Sequence, residues 1–384
     1  MATSFKTLDP RDITTARTNL HEAIPLTGTI SSGTYSDNNI KNYAHGMFQS
    51  VYDYPYLSSS ANHIYDITTG LSPTSPQSSS TTIQGVQKVQ IYNQLAQVLV
   101  GHDVTGSIRE FDQDGELASG LKFKDCIFLN FSRLLAKDEI QKGTFRMNLN
   151  MDPTGTLPLA SSTAHTVLIQ DVSGSDSFKT NSPAGEYNIL YVTSSNTTAA
   201  TAVLTSSLGL TLGMSAPCGL IFYQAGIIAL SSSLFKTAAS GGLLSLTSQD
   251  WGGNLAGNTG GKFVFISSSY YDIHDTLHSA SISGTADALR SRIQDIYFTN
   301  TTELNSSIYF CRANANEFNY SSNPTYLSSS QIRVKEEQDD EPVSYMTTVG
   351  LYSPDNELLA VAKLSEPLKK TPSNELTLRV RLDY

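Results

Sequence analysis

The sequence is short of charge, and above all of positive charge. Charged residues make up 16% of the 384 residues, below the usual quarter, and uncharged Ser, Thr, Asn and Gly take their place. Lys and Arg number 25 against 35 Asp and Glu, which gives a formal net charge of −10. No basic cluster is longer than Lys369 and Lys370, so a surface that could track nucleic-acid phosphates has no source. Nucleic acid is therefore excluded as an expected partner.

Cysteine is also scarce, and uninterrupted apolar runs are absent. Cys126, Cys218 and Cys311 are widely spaced, and we expect them to be buried thiols of a protein made in a reducing cytoplasm. The first residues lack the charged and apolar pattern of a secretion signal. The only apolar run of membrane length, residues 218–235, is interrupted by Gln224, Gly226 and serines, which predicts two buried strands and a turn. We expect a soluble protein without membrane insertion.

The length of the chain and the changes in composition along it predict more than one domain. We expect an α+β fold that is mainly β, with antiparallel sheets or a sandwich, a few helices and a β-rich insertion. Residues 1–38 read as an extended N-terminal arm, because Pro and Gly interrupt any periodicity. Residues 39–151 and 284–384 read as a discontinuous core domain, and residues 152–283 as a Gly/Ser/Thr-rich β insertion domain.

Three segments have helical spacing. Apolar residues over 40–52 recur at i, i+3, i+4, i+7 and i+8, which predicts a helix that Pro55 stops. A second helix is predicted through residues 86–99, with Gly101 at its end. A short third helix is predicted over residues 285–292.

The last forty residues predict exposed β structure. The stretch from residue 345 to 352, a turn of Ser, Pro, Asp and Asn, and the stretch from residue 357 to 364 together predict an antiparallel hairpin. The final strand alternates strictly between two sets of side chains. Leu376, Leu378, Val380 and Leu382 form one set, and Thr377, Arg379, Arg381 and Asp383 form the other. One set is expected to face a core, and the other solvent or a partner.

Three motifs are similar to known catalytic patterns but differ from them at defined positions. "HDTLH" (residues 274–278) lacks a third zinc ligand and carries an Asp where zinc proteases need the longer Glu. "AGNTGGKF" (residues 256–263) lacks both the first Gly and the final hydroxyl of a phosphate-binding loop. "GMSAP" (residues 213–217) has Pro where a nucleophile elbow needs Gly.

"FDQDGE" (residues 111–116) and "KEEQDDEP" (residues 335–342) could supply the paired carboxylates of glycoside hydrolysis, but spacing in sequence does not give the distance between two carboxylates. "FDQDGE" lacks the remaining ligands of a calcium loop, and "KEEQDDEP" reads as a solvated loop. We therefore predict no catalytic, cofactor-binding or metal site, and a protein that is not an enzyme.

Aromatic residues stand next to small polar residues in two stretches, a mixture typical of contact surfaces. Candidate interface residues are Tyr52, Tyr54, Tyr56, Phe318, Tyr320 and Tyr326. Trp251, the one tryptophan, is a candidate platform for stacking against a glycan.

Both ends of the chain resemble a known family. "NIKNYAHGMFQSVYDYPYLSSSANHIYD" (39–66), "IYFCRANANEFNYSSNPTYLSSSQIRVK" (308–335), "DEPVSYMTTVGLYSPDNELLAVAKLSEPLKK" (340–370) and "LTLRVRLDY" (376–384) are similar to virion structural proteins of contractile-tailed phages, especially those of marine cyanobacteria. Residues 152–283 resemble nothing in that family.

The resemblance implies a non-enzymatic structural protein of the virion, assembled in the host cytoplasm, in the tail and most plausibly at the baseplate. Its expected partners are other tail or baseplate proteins and copies of itself. The alternative is a host-surface glycan-binding or fibre-attachment protein, and further alternatives are a neck protein, a capsid-surface protein and a virion-borne hydrolase.

Overall fold

The protein is described by a computed structural model that covers residues 5–23, 37–78, 82–117, 119–132, 135, 139–150, 166–194, 216–235, 277, 281–321, 327–328, 331–332, 337 and 339–383. The chain divides into two units. We call Leu20–Thr302 the core unit, and we call Met1–Asn19 together with Glu303–Tyr384 the terminal unit.

The described residues are mostly β. The helices are α1 (Ile83–Leu99), α2 (Gly174–Ser177) and α3 (Ile282–Arg290). The strands are β1 (Ile13–Ala23), β2 (Ile40–Asn42), β3 (Gln49–Tyr52), β4 (His63–Leu71), β5 (Phe111–Asp112), β6 (Lys122–Phe123), β7 (Asp125–Asn130), β8 (Glu139–Ile140), β9 (Arg146–Asn150), β10 (Thr166–Gln170), β11 (Lys179–Ser182), β12 (Gly185–Ser194), β13 (Ala216–Phe222), β14 (Ile227–Ser231), β15 (Ile293–Tyr297), β16 (Thr299–Ala313), β17 (Leu327–Ser328), β18 (Gln331–Ile332), β19 (Ser344–Tyr352), β20 (Leu358–Lys370) and β21 (Leu376–Asp383).

The core unit is built on one large antiparallel sheet. Its 11 strands run in the order β15-β9-β10-β12-β13-β14-β7-β4-β3-β2, with β11 paired to β12 at the side. The fold class predicted from the sequence, α+β and mainly β with antiparallel sheets, is confirmed.

The central strands of this sheet are apolar on both faces. In β7, Ile127 and Leu129 belong to one buried cluster, whereas Cys126 and Phe128 belong to another. Since successive side chains of a strand point to opposite faces, each face must be covered separately.

Helix α1 covers one of the faces. Tyr92 on α1 is buried against Phe111 and Phe128, and its hydroxyl donates to the Phe123 carbonyl at 2.7 Å. The helix comes so close to β4 that a Cβ at Gly70 would lie 2.9 Å from the Tyr92 Cβ. Glycine at this position therefore permits the contact between helix and sheet.

The other face carries the larger core. Phe298 and Phe145 flank β15 and β9 at one end of the strand order, whereas Phe131 follows β7, five places further along from β9. The centroids of the three rings nevertheless lie within 6.4 Å of one another, so the sheet curls over this face. Helix α3 helps to close it, because Asp287 accepts a hydrogen bond from Gln49 of β3 at 2.8 Å.

The predicted helix over residues 40–52 is wrong. This stretch forms β2 and β3, joined by a turn at Gly46, where φ is +67°. That conformation suits glycine and ends a right-handed helix. The His45 ring nitrogen also accepts the Met47 amide at 3.0 Å, which stabilises the turn instead of a helical turn.

The other two predicted helices are confirmed. Helix α1 begins after Thr82, whose hydroxyl accepts from the Gly85 amide, and ends before Gly101. Helix α3 begins three residues before the predicted start. The hairpin predicted near the C-terminus is also present, as β19 and β20.

The division into domains differs from the predicted one. Strands β10, β12, β13 and β14 lie within the predicted insertion, 152–283, yet they occupy the middle of the large sheet between β9 and β7. Residues 303–384 separate from residues 39–151 instead of joining them. The predicted arm, 1–38, contributes β1, which pairs with β16. Local composition does not specify hydrogen-bond partners distant in sequence, and these partners set the division.

No helix among the described residues is both long and apolar enough to cross a membrane. The apolar run from 218 forms β13, a turn and β14, as predicted. Cys126 and Cys218 are buried free thiols, whereas Cys311 is partly exposed.

Lys88, the only charged residue of α1, is buried against the core. Its ammonium donates to the Leu277 carbonyl at 2.7 Å. Burial lowers the pKa of Lys88 from its usual 10.5 to about 8.

We predict a pH-dependent contribution to stability from this lysine. Between the folded and unfolded pKa values, the unfolded chain keeps a proton that the folded chain has released, so the free energy of unfolding rises with pH from about 8 to about 10.5. A Lys88→Met variant lacks this rise. Urea unfolding midpoints of both proteins, followed across this pH range, check it. If the urea midpoints of the wild-type and Lys88→Met proteins change by the same amount with pH, the prediction is contradicted.

Candidate assembly interface

The terminal unit has almost no hydrophobic core of its own. Among its described residues the only buried apolar side chains are Ile308 and Ala313. Buried polar residues outnumber them: Ser306, Ser307, Ser344, Lys370 and Thr371. Because apolar burial is the main force that stabilises a folded unit, this composition is unusual for a unit that stands alone.

The sheet made by β16 and β21 has one apolar face that is only half covered. The register places Leu378 opposite Cys311 and Val380 opposite Tyr309, whereas Arg379 and Arg381 lie on the other face. Burial follows the alternation predicted from the sequence as far as Val380, since Leu376, Leu378 and Val380 are less exposed than the residues between them, whereas Leu382 is exposed. Even so, none of the side chains of β21 is fully buried.

The hairpin of β19 and β20 exposes large apolar side chains. Tyr345, Tyr352, Leu358, Leu359 and Val361 are each between 44% and 67% exposed. Among the described residues the two strands pair only with each other. A two-stranded sheet of this kind is marginally stable in water unless something packs against it.

A buried lysine holds the base of the hairpin. The Lys370 ammonium, at the end of β20, donates to the Ala315 carbonyl at 3.1 Å, to Asn319 Oδ1 at 2.8 Å and to the Thr371 carbonyl at 2.8 Å. These partners satisfy its three N–H groups, and the desolvated charge is thereby accommodated. The lysine thus joins the hairpin to the loop at residues 314–320.

This loop presents two of the predicted interface residues. Phe318 has a φ of +55° and is 41% exposed, and Tyr320 is 61% exposed. The Phe318 carbonyl accepts from the Ser344 hydroxyl at 2.5 Å. Glu317 pairs with Lys6, and this hydrogen bond lowers the pKa of the Glu317 carboxyl. A non-glycine residue with positive φ is costly, so the anchors hold a conformation that the sequence alone does not favour.

The other predicted aromatic surface lies in the core unit. Tyr54 and Tyr56 are exposed, whereas Tyr52 is half-buried and packs edge-on against His63. Asp53 holds the turn, because its carboxylate accepts from the Tyr54 and Asn62 amides at 2.8 and 2.6 Å. Two of the three tyrosines are therefore free for contact. Tyr326 and Trp251 lie outside the described residues.

The three motifs that are similar to catalytic patterns also lie mostly outside the described residues. These are residues 256–263, the histidines at 274 and 278, and Ser215. Within the part of the chain that the structure describes, no cluster of three or more His, Cys, Asp or Glu could hold a metal ion. In the acidic cluster at residues 111–116, Asp112 is buried and pairs with Lys122 at 2.6 Å.

Two polar networks in the core unit resemble catalytic arrangements only superficially. Asp66 accepts from the Ser50 hydroxyl at 2.5 Å and contacts His63 Nε2 at 2.6 Å. The carboxylate, not the imidazole, is central, so the serine lacks the imidazole base of a Ser-His-Asp arrangement.

In the second network, Lys142 lies between Glu139 and Glu186, at 2.9 and 2.7 Å. Burial opposes the charge of this lysine, but the two carboxylates raise its pKa overall. Lys142 pairs with both carboxylates, whereas glycoside hydrolysis requires two carboxyl groups that can reach the substrate.

Asp171 organises the same end of the sheet. It accepts from the Tyr223 hydroxyl at 2.7 Å, from the Gly143 amide at 2.8 Å and from Asn188 at 2.7 Å. Burial, followed by the charge of Asp171, raises the pKa of Tyr223 far above its usual value. The group remains a protonated structural donor.

Comparisons with known proteins give no relative: no protein-family model, no curated protein and no solved structure matches the chain.

The sequence reasoning missed the anchor of the terminal unit. Lys370 read only as half of a basic pair, and Ser344 was not singled out. Their roles depend on partners 26 to 55 residues away, Phe318 and Ala315, and no local motif predicts these. The only sequence feature that pointed to this contact was the short distance in sequence between the aromatic stretch and the hairpin.

We predict that Lys370→Met releases the loop that carries Phe318 and Tyr320. The substitution leaves Asn319 Oδ1 and the Thr371 carbonyl without the lysine donor, at a cost of about 1–3 kcal/mol each, whereas the Ala315 carbonyl keeps its hydrogen bond from the Asn319 amide. Since about 1.4 kcal/mol corresponds to a tenfold change in an opening equilibrium, chymotrypsin should cleave after Phe318 or Tyr320 at least about tenfold faster.

Mass spectrometry of timed digests measures the cleavage rate. Lys369→Met is the matched control, because Lys369 is exposed beside the anchor and should change little. Equal cleavage rates in both variants would contradict the role of Lys370.

Proposed function

We propose that the chain is a non-enzymatic structural protein of a tailed bacteriophage, a tail or baseplate subunit that acts through protein–protein interfaces. The terminal unit is its main contact surface. Its partners are other tail or baseplate proteins and further copies of the chain.

The observation that carries the proposal is that the described residues of the terminal unit bury almost no apolar side chains. The apolar side chains of β21 are only half covered, and the hairpin exposes large apolar side chains. Both features are expected of one side of an interface when its partner is absent. Specific interfaces bury on the order of 1,600 Å² in total, and each Å² of apolar surface contributes roughly 25 cal/mol. Assembly would supply the apolar burial that the unit lacks.

The position of the resembling segments supports the assignment to a phage tail. Three of them, at residues 308–335, 340–370 and 376–384, fall in the terminal unit. The fourth, residues 39–66, contains the turn with exposed Tyr54 and Tyr56. The resemblance therefore includes both aromatic surfaces.

The networks at Lys142 and Asp171 support a role without catalysis, because in each the polar groups satisfy one another. Groups that are fully paired and partly buried stabilise a fold, whereas a catalytic acid or base needs access to substrate.

We predict that the protein is present in purified virions and that antibody label lies on the tail. Mass spectrometry of gradient-purified particles tests the first point, and immunogold electron microscopy of intact and detergent-opened particles tests the second. Label on the head or neck would contradict the tail assignment. Absence from the particles would contradict a structural role altogether.

A further inference from the structure

We infer that β19 is a pairing edge for a second copy of this chain, so that two hairpins join across a two-fold axis into a four-stranded sheet. The inference rests on the proposed function in one respect only, namely that the terminal unit is a contact surface.

The free edge of β19 has none of the usual protection against strand pairing. Among the described residues, β19 pairs on one side with β20 and has no strand on the other. Its nine residues, "SYMTTVGLY", contain no charge and no proline. Long, uncharged edges recruit further strands, and proteins normally block them with charges, proline, bulges or short length.

Four other edge strands among the described residues are protected in these ways. β20 carries Lys363, Pro367 and Lys369 and has irregular register. β21 carries Arg379, Arg381 and Asp383. At the ends of the large sheet, β2 is only three residues long and β15 contains Asp295. The contrast identifies β19 as the edge left available.

A second copy of β19 is a suitable occupant because the strand is self-complementary. In an antiparallel pair centred on Thr348, Thr347 lies opposite Val349 of the copy, and Tyr345 lies opposite Leu351. These are β-branched and aromatic–aliphatic pairs, which stabilise sheets, and no like charges meet. A two-fold axis also closes the assembly at a dimer.

The same comparison makes β21 less suited to self-pairing. An antiparallel pair centred on Val380 keeps the apolar side chains of both copies on one face but places Arg379 opposite Arg381 of the copy. A shift by one residue places apolar side chains on the charged face.

Pairing at β19 would also enlarge the apolar face of the hairpin, whose side chains are exposed in the single chain. Tyr352 and Leu358 are cross-strand neighbours in the hairpin, as are Gly350 and Val361. Doubling the hairpin turns a marginal two-stranded sheet into one of four strands, whose wider apolar face can support stable packing.

Charge variants at the centre of the strand test this inference with the purified chain. We expect the wild-type protein to sediment as a dimer at micromolar concentration in analytical ultracentrifugation. Thr348→Lys and Thr348→Glu should each weaken the dimer at least about tenfold through like-charge repulsion. An equimolar mixture of the two should restore it, because opposite charges then meet, and this rescue shows that both variants are folded.

Thr377→Lys and Thr377→Glu are the matched controls on the other open strand of the same unit, and they should leave the dimer unchanged. A monomeric wild-type protein, dimers unaffected by the Thr348 variants, or no rescue in the mixture would each overturn the inference. Loss of the Thr348 variants from particles without any effect on sedimentation would also overturn it, in favour of a different partner. The test needs no virions, so its failure is distinct from absence of the protein from particles.

Discussion

A β-sheet in water must cover its apolar side chains and either pair or protect its edges, and the two units of this chain meet that requirement to different degrees. In the core unit, α1 covers one face, and the curl of the sheet together with α3 covers the other. In the terminal unit, the apolar side chains of β21 are only half covered, and no described strand pairs with the uncharged outer edge of β19. The proposed function rests on this difference.

The polar groups of the terminal unit explain how it keeps a defined shape with so little apolar burial. Lys370 and Ser344 hold the loop around Phe318 from two sides, and Lys6 pairs with Glu317 in the same loop. Such hydrogen bonds are directional, so they orient the aromatic side chains even though each stabilises the unit only modestly. A contact surface that is ordered before binding loses less conformational entropy when its partner arrives.

Sequence reasoning succeeded where one local pattern decided the outcome. Helix α1 combines helical spacing, a Thr cap and a terminal glycine, and the hairpin combines two β-rich runs with a turn sequence. It failed at residues 40–52, where apolar residues of two short strands happen to recur with helical spacing and only Gly46 indicates the turn. The predicted insertion failed for another reason: its strands pair with β7 and β9, and composition does not encode such distant pairing. The candidate interface was partly predictable, since exposed aromatics can be guessed from their neighbours, but the Lys370 anchor could not be.

If the terminal unit completes its core by assembly, the backbone amides of its sheet should become protected only in the particle. Hydrogen–deuterium exchange of the purified chain, compared with exchange of the same chain in intact particles, measures this change. We expect the backbone amides of β21, which lies outside the proposed β19 dimer contact, to exchange rapidly in purified protein and to become strongly protected in particles, while β7 and β13 are protected in both. Equal, strong protection of β21 in purified protein and in particles would show that the unit is complete without its partners.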